Sequence, residues 1–307
     1  MTAEISRRPG QDPSFSPLPD SDMATARRPR GRRPALSVGQ VISRVLICLV
    51  GLVFLFPFLW MIATSLKPTN EVFASGTSLL GSRIEWSNYQ VAWTAIPFGR
   101  ILVNSFLIAF VGALLTVTVS VLSAYAFSRF PFRGRAALFG AFLATMVLPQ
   151  EVLIIPLYLM MQKAGLVNSY PALILPFAFG AFGTFLIRQF LLSLPPDYEE
   201  AATIDGASRL RTLVSIVVPL LRAPIAVVFV FAFIEYWGSF LWPLIVVNDA
   251  TMATVPIGLQ MFSGERGTDW GPLMAAVTLV VLPSLLIVMA LQKQLQQGVS
   301  MGGFGGR

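Results

Sequence analysis

The sequence predicts an all-α integral membrane protein: six transmembrane helices with one polar, helix-forming loop between the fourth and the fifth. Three observations carry that prediction. Of the 307 residues, 55% are hydrophobic and only 12% are charged, whereas about a quarter of the residues in soluble domains are charged. Apolar stretches recur along the chain at a length that, at 1.5 Å per helical residue, crosses the roughly 30 Å hydrocarbon core of a bilayer. The basic residues between those stretches are concentrated in alternate segments, as they are around membrane spans.

Residues 1–40 read as a disordered basic tail. Pro, Ser, Asp and Arg dominate it, Arg7, Arg8, Arg27, Arg28, Arg30, Arg32 and Arg33 are spread along it, and no apolar periodicity runs through it. A cleavable leader would need a short apolar core and a small-residue cleavage site, whereas the run after Arg44 has spanning length and ends in bulky Trp60 and Met61. The tail fits a topology determinant and also suits anionic lipid headgroups. The six-helix region is expected over 41–295. Val45 to Leu66, without a charge, is its first span. Residues 67–100 follow as a mixed external loop whose Trp86, Tyr89 and Trp93 suit a membrane interface. The second span, about 101–127, ends at a basic turn with Arg129, Arg133 and Arg135.

The third span, about 136–161, is interrupted by Pro149, Gln150, Glu151 and Pro156. A carboxylate at that depth is costly unless it faces protein or water, which makes Gln150 and Glu151 pathway or gate candidates. Two shorter helices with Glu151 near an interface is the alternative, and the sequence leaves both open. The fourth span, about 172–192, carries Arg188 near one end, where it can snorkel. The fifth, about 223–247, carries Glu235, Trp237, Phe240 and Trp242-Pro243; an acidic external loop with Asp249, Glu265 and Asp269 against Arg266 follows it. The sixth covers about 272–291, and 296–307 is a tail that reads as too Gly-rich to hold helix.

Basic residues orient these spans. With the N-terminus inside, the inner segments hold eight Lys and Arg in the tail up to Arg44, three in 128–135, four in 188–222 and two after 292; the outer segments hold Lys67, Arg83, Arg100, Lys163 and Arg266. The positive-inside rule then puts both termini and the loop around residue 200 in the cytoplasm. The net charge of +7 sits in the tail and short inner loops, which is a topology pattern and not a nucleic-acid surface. With no His and a single Cys48, zinc sites, Cys-His catalysis and disulfide frameworks are excluded, and Cys48 reads as a small hydrophobe. No metal ligands, catalytic constellation or cofactor are expected on this chain.

The stretch 195–219, PPDYEEAATIDGASRLRTLVSIVVP, is a polar island carrying both signs of charge between apolar runs. It reads as two short helices. Asp197, Glu199 and Glu200 fall in the first turn after Pro195-Pro196, where carboxylates favour the positive end of a helix and Pro is tolerated. Gly206 breaks the run, Ser208 is placed to cap the second helix, and the small Ala201 and Ala202 permit close approach of another surface. A solvated helical hairpin without a partner is the plain alternative.

The spacing Glu200-Ala201-Ala202, then Gly206, then Ile216 and Val218-Pro219, resembles the cytoplasmic EAA loop of ABC importer permeases, Val218 standing where that family usually has Leu. The likeness extends over nearly the whole chain after residue 40. Arg188-Gln189-Phe190-Leu191, Ile204-Asp205-Gly206-Ala207-Ser208, Phe240-Leu241-Trp242-Pro243 and Thr268-Asp269-Trp270-Gly271 are similar to the maltose-type permeases, the six-helix subunit that pairs with a second, different permease. The resemblance implies a bacterial cytoplasmic membrane, a second permease, two cytoplasmic ATP-binding subunits and an extracytoplasmic substrate-binding protein. It also implies import of a sugar or a related polyol or sugar phosphate. Since no G-x-x-x-x-G-K-[ST] loop occurs in the sequence, ATP and Mg belong to the partner. The basic N-terminal tail is outside the shared pattern, and the Gly-rich C-terminal end matches the family tail only loosely.

For the matched positions the resemblance implies ATPase coupling: Glu200 transmits the movement, Ala201, Ala202 and Gly206 supply close approach and the turn, Asp205 and Arg209 are rim contacts, and Ile216 and Pro219 complete the pattern. Substrate-pathway candidates follow from chemistry, since aromatic faces stack on sugar rings and amides or carboxylates bind hydroxyls: Asn104, Gln150, Glu151, Tyr158, Glu235, Trp237 and Trp242. Each also reads as packing or an interfacial anchor. An importer for a non-sugar solute is the nearest alternative. A secondary transporter or channel would need a charge relay or inverted repeats, and the sequence offers only Glu151 and Glu235 with no evident repeat.

Overall fold

The computed structural model of the chain describes residues 38–74, 78–264 and 267–303. The basic tail, the last four residues, and Glu265 and Arg266 of the acidic loop lie outside them. Contacts divide the chain into two units, 1–52 and 53–307. In the first, the described part is the opening stretch of α1 (Val38–Ser65), whose large side chains such as Leu46 and Ile47 are exposed. Apolar residues all round a helix without protein cover are those of a lipid-facing or partner-facing span.

The second unit is almost entirely helical. After α1 come α2 (Ser87–Thr94) and α3 (Phe98–Arg129), so the external loop expected over 67–100 contains a helix of its own. Next are α4 (Arg135–Ala144), α5 (Gln150–Lys163), α6 (Tyr170–Ile174) and α7 (Ala181–Ser193). The polar loop holds α8 (Asp197–Ile204), α9 (Arg209–Thr212), a π-helical turn over Leu213–Val217 and α10 (Val218–Leu220). The chain continues through α11 (Arg222–Gly238), α12 (Leu241–Val246), α13 (Val255–Gln260), the two-residue strands β1 (Ser263–Gly264) and β2 (Gly267–Thr268), paired antiparallel, and α14 (Trp270–Gly303).

Three of these helices are long and apolar enough to cross a membrane alone, and up to six spans result when each of three bent helix pairs is counted as one. Proline sets the breaks. A residue before Pro is pushed out of the helical region, and Phe130, Leu148 and Leu194, each followed by Pro, are all extended and end α3, the α4 segment and α7. The expected third span therefore bends by 104° between Val147 and Gln150; the fourth bends by 48° between Phe177 and Ala181, where Gly180 is extended, and a third pair bends by 82° between Leu220 and Arg222. The expected fifth span stops at Gly238, because Ser239 is extended, and resumes as α12. One expectation is corrected outright: the chain does not leave helix at Gln297, since α14 runs on to Gly303.

The centre of the unit is α3, packed on one side against α7 and on another against α11, which also meets α14. Close backbone approach makes this possible. A Cβ on Gly112 would stand 2.6 Å from the Tyr236 ring of α11, and one on Gly183 of α7 would collide with Ser120 of α3. Such small-residue contacts hold helices together where water supplies no driving force. Two apolar clusters result. One gathers Phe98, Ile108, Phe233, Trp237 and Trp242; the other gathers Val117, Val121, Ile187 and Leu191 with Leu213, Val217 and Leu221 at the base of the polar loop.

Candidate functional site

The polar loop folds as its local chemistry dictates. Asp197, Glu199 and Glu200 sit in the first turn of α8, Gly206 turns the chain at φ +77°, and the Ser208 side chain accepts from the Arg211 amide to cap α9. At φ +77° a Cβ costs roughly 1–2 kcal/mol, which is why the turn falls on glycine. The loop is rooted by the buried side chains of Thr212, Leu213 and Val217.

Its two adjacent carboxylates do different things, because neighbours on a helix point about 100° apart. Glu199 turns inward. Arg129 Nε at the end of α3 donates to it at 2.6 Å, and Tyr125 Oη donates at 3.0 Å. The same guanidinium donates through Nη2 to the carbonyls of Leu191 and Leu194, 3.2 Å each, which end α7. One arginine thus ties α3, α7 and α8 together. Glu200, by contrast, is exposed, as are Ala201, Asp205, Arg209 and Pro219, while Ile216 is half-buried. Ala202 is buried, so its small size serves packing inside the loop and not the approach of an outside surface. Two apolar side chains stand out in water: Ile204 at 86% exposure and Leu210 at 67%. Between the loop and the end of α3 lies a cavity of about 350 Å³ lined by Glu199, Glu200, Ile204, Arg209 and Phe130, with the Arg209 guanidinium 4.9 Å from the Phe130 ring centre. Glu199, Arg129, Ile204 and Leu210 were missed from sequence; the signal for the last two was their apolarity inside a polar island.

A second concavity of about 360 Å³ lies where the two broken spans meet α3 and α11. Thr145, Leu148 and Gln150 reach it from the α4–α5 break, Gly180 and Ala181 from the start of α7, Thr116 from α3 and Glu235 from α11. It lies just past mid-length of α3: Thr116 is about 27 Å along a helix of about 48 Å. Gln150 Nε2 donates to Glu235 Oε1 at 2.6 Å, joining residues 85 apart in sequence.

The other pathway candidates are not brought to this cleft. Asn104 is buried and donates to the carbonyls of Thr251 and Ala253 while accepting from Tyr170 Oη, so it fastens the segment between α12 and α13 to α3. Trp237 is stacked on Phe233 in the core, and Trp242 donates its Nε1 hydrogen to the Ala172 carbonyl at 2.9 Å. Tyr158 packs half-buried against the same core, and Glu151 is exposed on the first turn of α5. Among the described residues no cluster of His, Cys, Asp and Glu is placed to hold a metal ion.

Comparison with known proteins is consistent with this arrangement. Residues 116–301 match the family described as the binding-protein-dependent transport system inner membrane component. The chain is 36% identical to the sn-glycerol-3-phosphate transport system permease protein UgpE of Pectobacterium atrosepticum, over 84% of this chain and 95% of that one. It is 35% identical to the protein of the same name from Escherichia coli O1:K1 / APEC, over 87% and 97%. Among solved structures, a bacterial ABC transporter involved in the import of the acidic polysaccharide alginate superposes with a TM-score of 0.73 at 22% identity, covering 85% of this chain and 99% of the other. Members of this family are membrane-embedded, non-catalytic transport components, and this chain belongs to it: it is a binding-protein-dependent transport system inner membrane component, an ABC importer permease.

Proposed function

We propose that this permease pairs with a second, different permease to form the pathway by which a sugar, or a related polyol or sugar phosphate, enters a bacterium. The import is driven by ATP and Mg on two cytoplasmic ATPase subunits, and an extracytoplasmic binding protein delivers the solute. In this reading residues 1–40 are a basic cytoplasmic tail, 41–295 the membrane domain and 296–307 a C-terminal tail, with both termini in the cytoplasm. The substrate class is supported by the relatives named for sn-glycerol-3-phosphate, a phosphorylated polyol.

The observation that carries the coupling role is the division of labour on α8. Glu199 anchors the loop to α3 and α7, leaving Glu200, Ile204 and Leu210 exposed. A charge flanked by two apolar knobs on a rooted helical hairpin is a surface built to be covered by protein. ATP-driven closure of the ATPase pair moves that surface, and the loop passes the movement to the spans. A partner shifts this equilibrium only as far as its contact energy differs between the two states, which is why Glu200, Asp205 and Arg209 at the contact matter.

The test is purification of the tagged chain with its partners from its own host. Glu200→Arg, Ile204→Asp and a bulky replacement at Ala201 are expected to lose the ATPase and solute uptake while the two permeases stay together in the membrane. Retention of the ATPase and of full uptake in all three variants would overturn the coupling role.

A further inference from the structure

We propose that the turn between α3 and α4 binds the headgroup of an anionic phospholipid, in the leaflet on the polar-loop side of the membrane. Such a site is independent of which solute the importer carries.

The chain itself fixes the depth of this turn. α3 is a span that ends at Arg129, and the bent pair that opens with α4 begins at Arg135. A five-residue connection that must leave and return rises no more than about 10 Å above the ends of the helices it joins, which keeps it within reach of the headgroups. Its charge is of one sign. From Ser128 to Gln150 the chain carries Arg129, Arg133 and Arg135 and no Asp or Glu. Arg129 is committed to Glu199 and to the carbonyls that end α7. The other two are not. Among the described residues no carboxylate pairs with Arg133 or Arg135, the Arg133 side chain has no hydrogen-bond partner, and Arg135 makes a single 3.4 Å bond to the Ser128 carbonyl.

The backbone of the turn is held in place. Gly134 reverses the chain at φ +80°, where a Cβ would be strained. Phe132 lies 6.0 Å from the Phe127 ring centre, and Phe127 also meets Phe139 at 5.3 Å and Phe142 at 6.3 Å. On this aromatic footing a concavity of about 440 Å³ is lined by Pro131, Phe132, Arg133 and Arg135. Guanidinium groups are planar forks that match phosphate oxygens two at a time. The first turn of the ten-residue α4 has no side-chain cap, so its amides add donors at the helix end that favours an anion.

The acyl part of a lipid is matched as well. Phe132 is 41% and Leu138 56% exposed, and Ala136, Ala137 and Ala141 are uncovered beside them. An unpaired basic turn at headgroup depth, continuous with an apolar strip along the following helix, fits an anionic phospholipid and not a free anion. The same turn borders the anchor of the polar loop, since Arg129 grips Glu199 and the Phe130 ring carries the Arg209 guanidinium. A bound headgroup therefore places its charge beside the contacts that hold α8 and α9.

Photocrosslinking on this chain identifies the lipid at the turn. The whole importer, carrying Ala136→p-benzoylphenylalanine in this chain, is irradiated in nanodiscs that hold equal amounts of dioleoylphosphatidylglycerol and dioleoylphosphatidylcholine. Lipid adducts on the α4 peptide are then quantified by mass spectrometry. A basic residue near an anionic surface contributes about fivefold in binding, and two about 25-fold. Phosphatidylglycerol adducts should accordingly outnumber phosphatidylcholine adducts by about tenfold or more. Arg133→Gln combined with Arg135→Gln should bring the ratio to about one, whereas Arg133→Lys with Arg135→Lys should keep most of the preference. Leu138→p-benzoylphenylalanine serves as a second position where the first disturbs assembly. Equal capture of the two lipids, a preference unmoved by the double Gln variant, adducts to another subunit in place of lipid at both positions, or no adduct at either would overturn the proposal. Loss of the preference when chloride is exchanged for inorganic phosphate at constant ionic strength would assign the arginines to a free anion and overturn it as well.

Discussion

Removing Arg129 should loosen the polar loop from the spans more than removing its partner does, because the guanidinium makes three hydrogen bonds at once. The ion pair with Glu199 is largely covered, its side chains 19% and 16% exposed. That places it between exposed pairs, worth about 0–1 kcal/mol, and fully buried ones, whose breakage costs about 3–5 kcal/mol. Glu199→Ala removes one partner but leaves Arg129 bonded to the Leu191 and Leu194 carbonyls, so a loss of about 2 kcal/mol is expected. Arg129→Ala strips those two carbonyls as well as the carboxylate, for a loss of about 3–4 kcal/mol. Glu199→Gln keeps one oxygen to accept from Arg129, and its amide nitrogen, standing where Tyr125 Oη donates, can donate to that hydroxyl instead, so it should cost about 1 kcal/mol. Thermal unfolding of the purified complex reads these differences, since 1 kcal/mol moves Tm by about 2–4 °C at 150–250 residues. The double variant should be less damaged than the sum of the singles by about 1–2 kcal/mol. ATP hydrolysis and uptake, measured together, should separate in Arg129→Ala, with hydrolysis retained and uptake reduced. Strictly additive single-site effects, or shifts below one degree in both alanine variants, would show that the pair does not hold the loop.

Other perturbations follow from the same geometry. Gly112→Ala places a Cβ against the Tyr236 ring and should destabilise by about 1–3 kcal/mol, whereas Gly140→Ala, which meets nothing within 4 Å, should be neutral or slightly stabilising; thermal unfolding compares them. Gly206→Val forces a β-branched residue to φ +77° and should lower uptake with the protein still in the membrane, as immunoblotting of membranes would establish. Asn104→Leu leaves the Thr251 and Ala253 carbonyls without their donor, at about 1–3 kcal/mol, and protease sensitivity near residue 250 should rise. In the segment between α1 and α2, the Ser82 hydroxyl donates to the Glu71 carboxylate and the Ser82 amide donates to it at 2.7 Å, which holds the Glu71 pKa below its ordinary value. A lowered carboxylate pKa stabilises the fold above the ordinary value and loses that contribution as pH falls through the folded one. Protection of the Ser82 amide from hydrogen exchange should therefore persist at neutral pH and fade only in acid, and Glu71→Gln should remove that pH dependence.

What the sequence shows plainly is whatever local chemistry decides. The breaks after Phe130, Leu148 and Leu194 follow from the prolines that succeed them, and the turn at Gly206 and the cap at Ser208 follow from one residue each. What it hides is pairing between distant segments. Asn104 reads as a pathway residue because an amide in an apolar run looks functional; its partners are carbonyls 147 and 149 residues away. Gln150 and Glu235 were both visible as candidates, but only the fold puts them in hydrogen-bond contact. Glu199 and Glu200 cannot be told apart by composition, since their difference is the 100° between successive helical side chains. The helix at the C-terminal end was misread because glycine's cost of about 1 kcal/mol per residue argues against helix, yet α14 continues an existing helix and needs no new nucleation.

These contacts also connect the polar loop to the cleft. Arg129, which grips the polar loop, and Thr116, which lines the cleft, belong to one unbroken helix, α3, and stand about 20 Å apart along it. Leu191, whose carbonyl Arg129 holds, and Gly183, on the cleft wall, belong likewise to α7. The two helices are locked face to face where Gly183 meets Ser120. The loop helix α8 is thus connected to one wall of the cleft through this packed pair of helices. The opposite wall is built from the α4–α5 break, whose α4 also packs on the same two helices, Phe139 lying 5.3 Å from the Phe127 ring of α3 and 4.2 Å from the Arg188 guanidinium of α7. The Gln150–Glu235 hydrogen bond joins the broken span to α11 beside this wall.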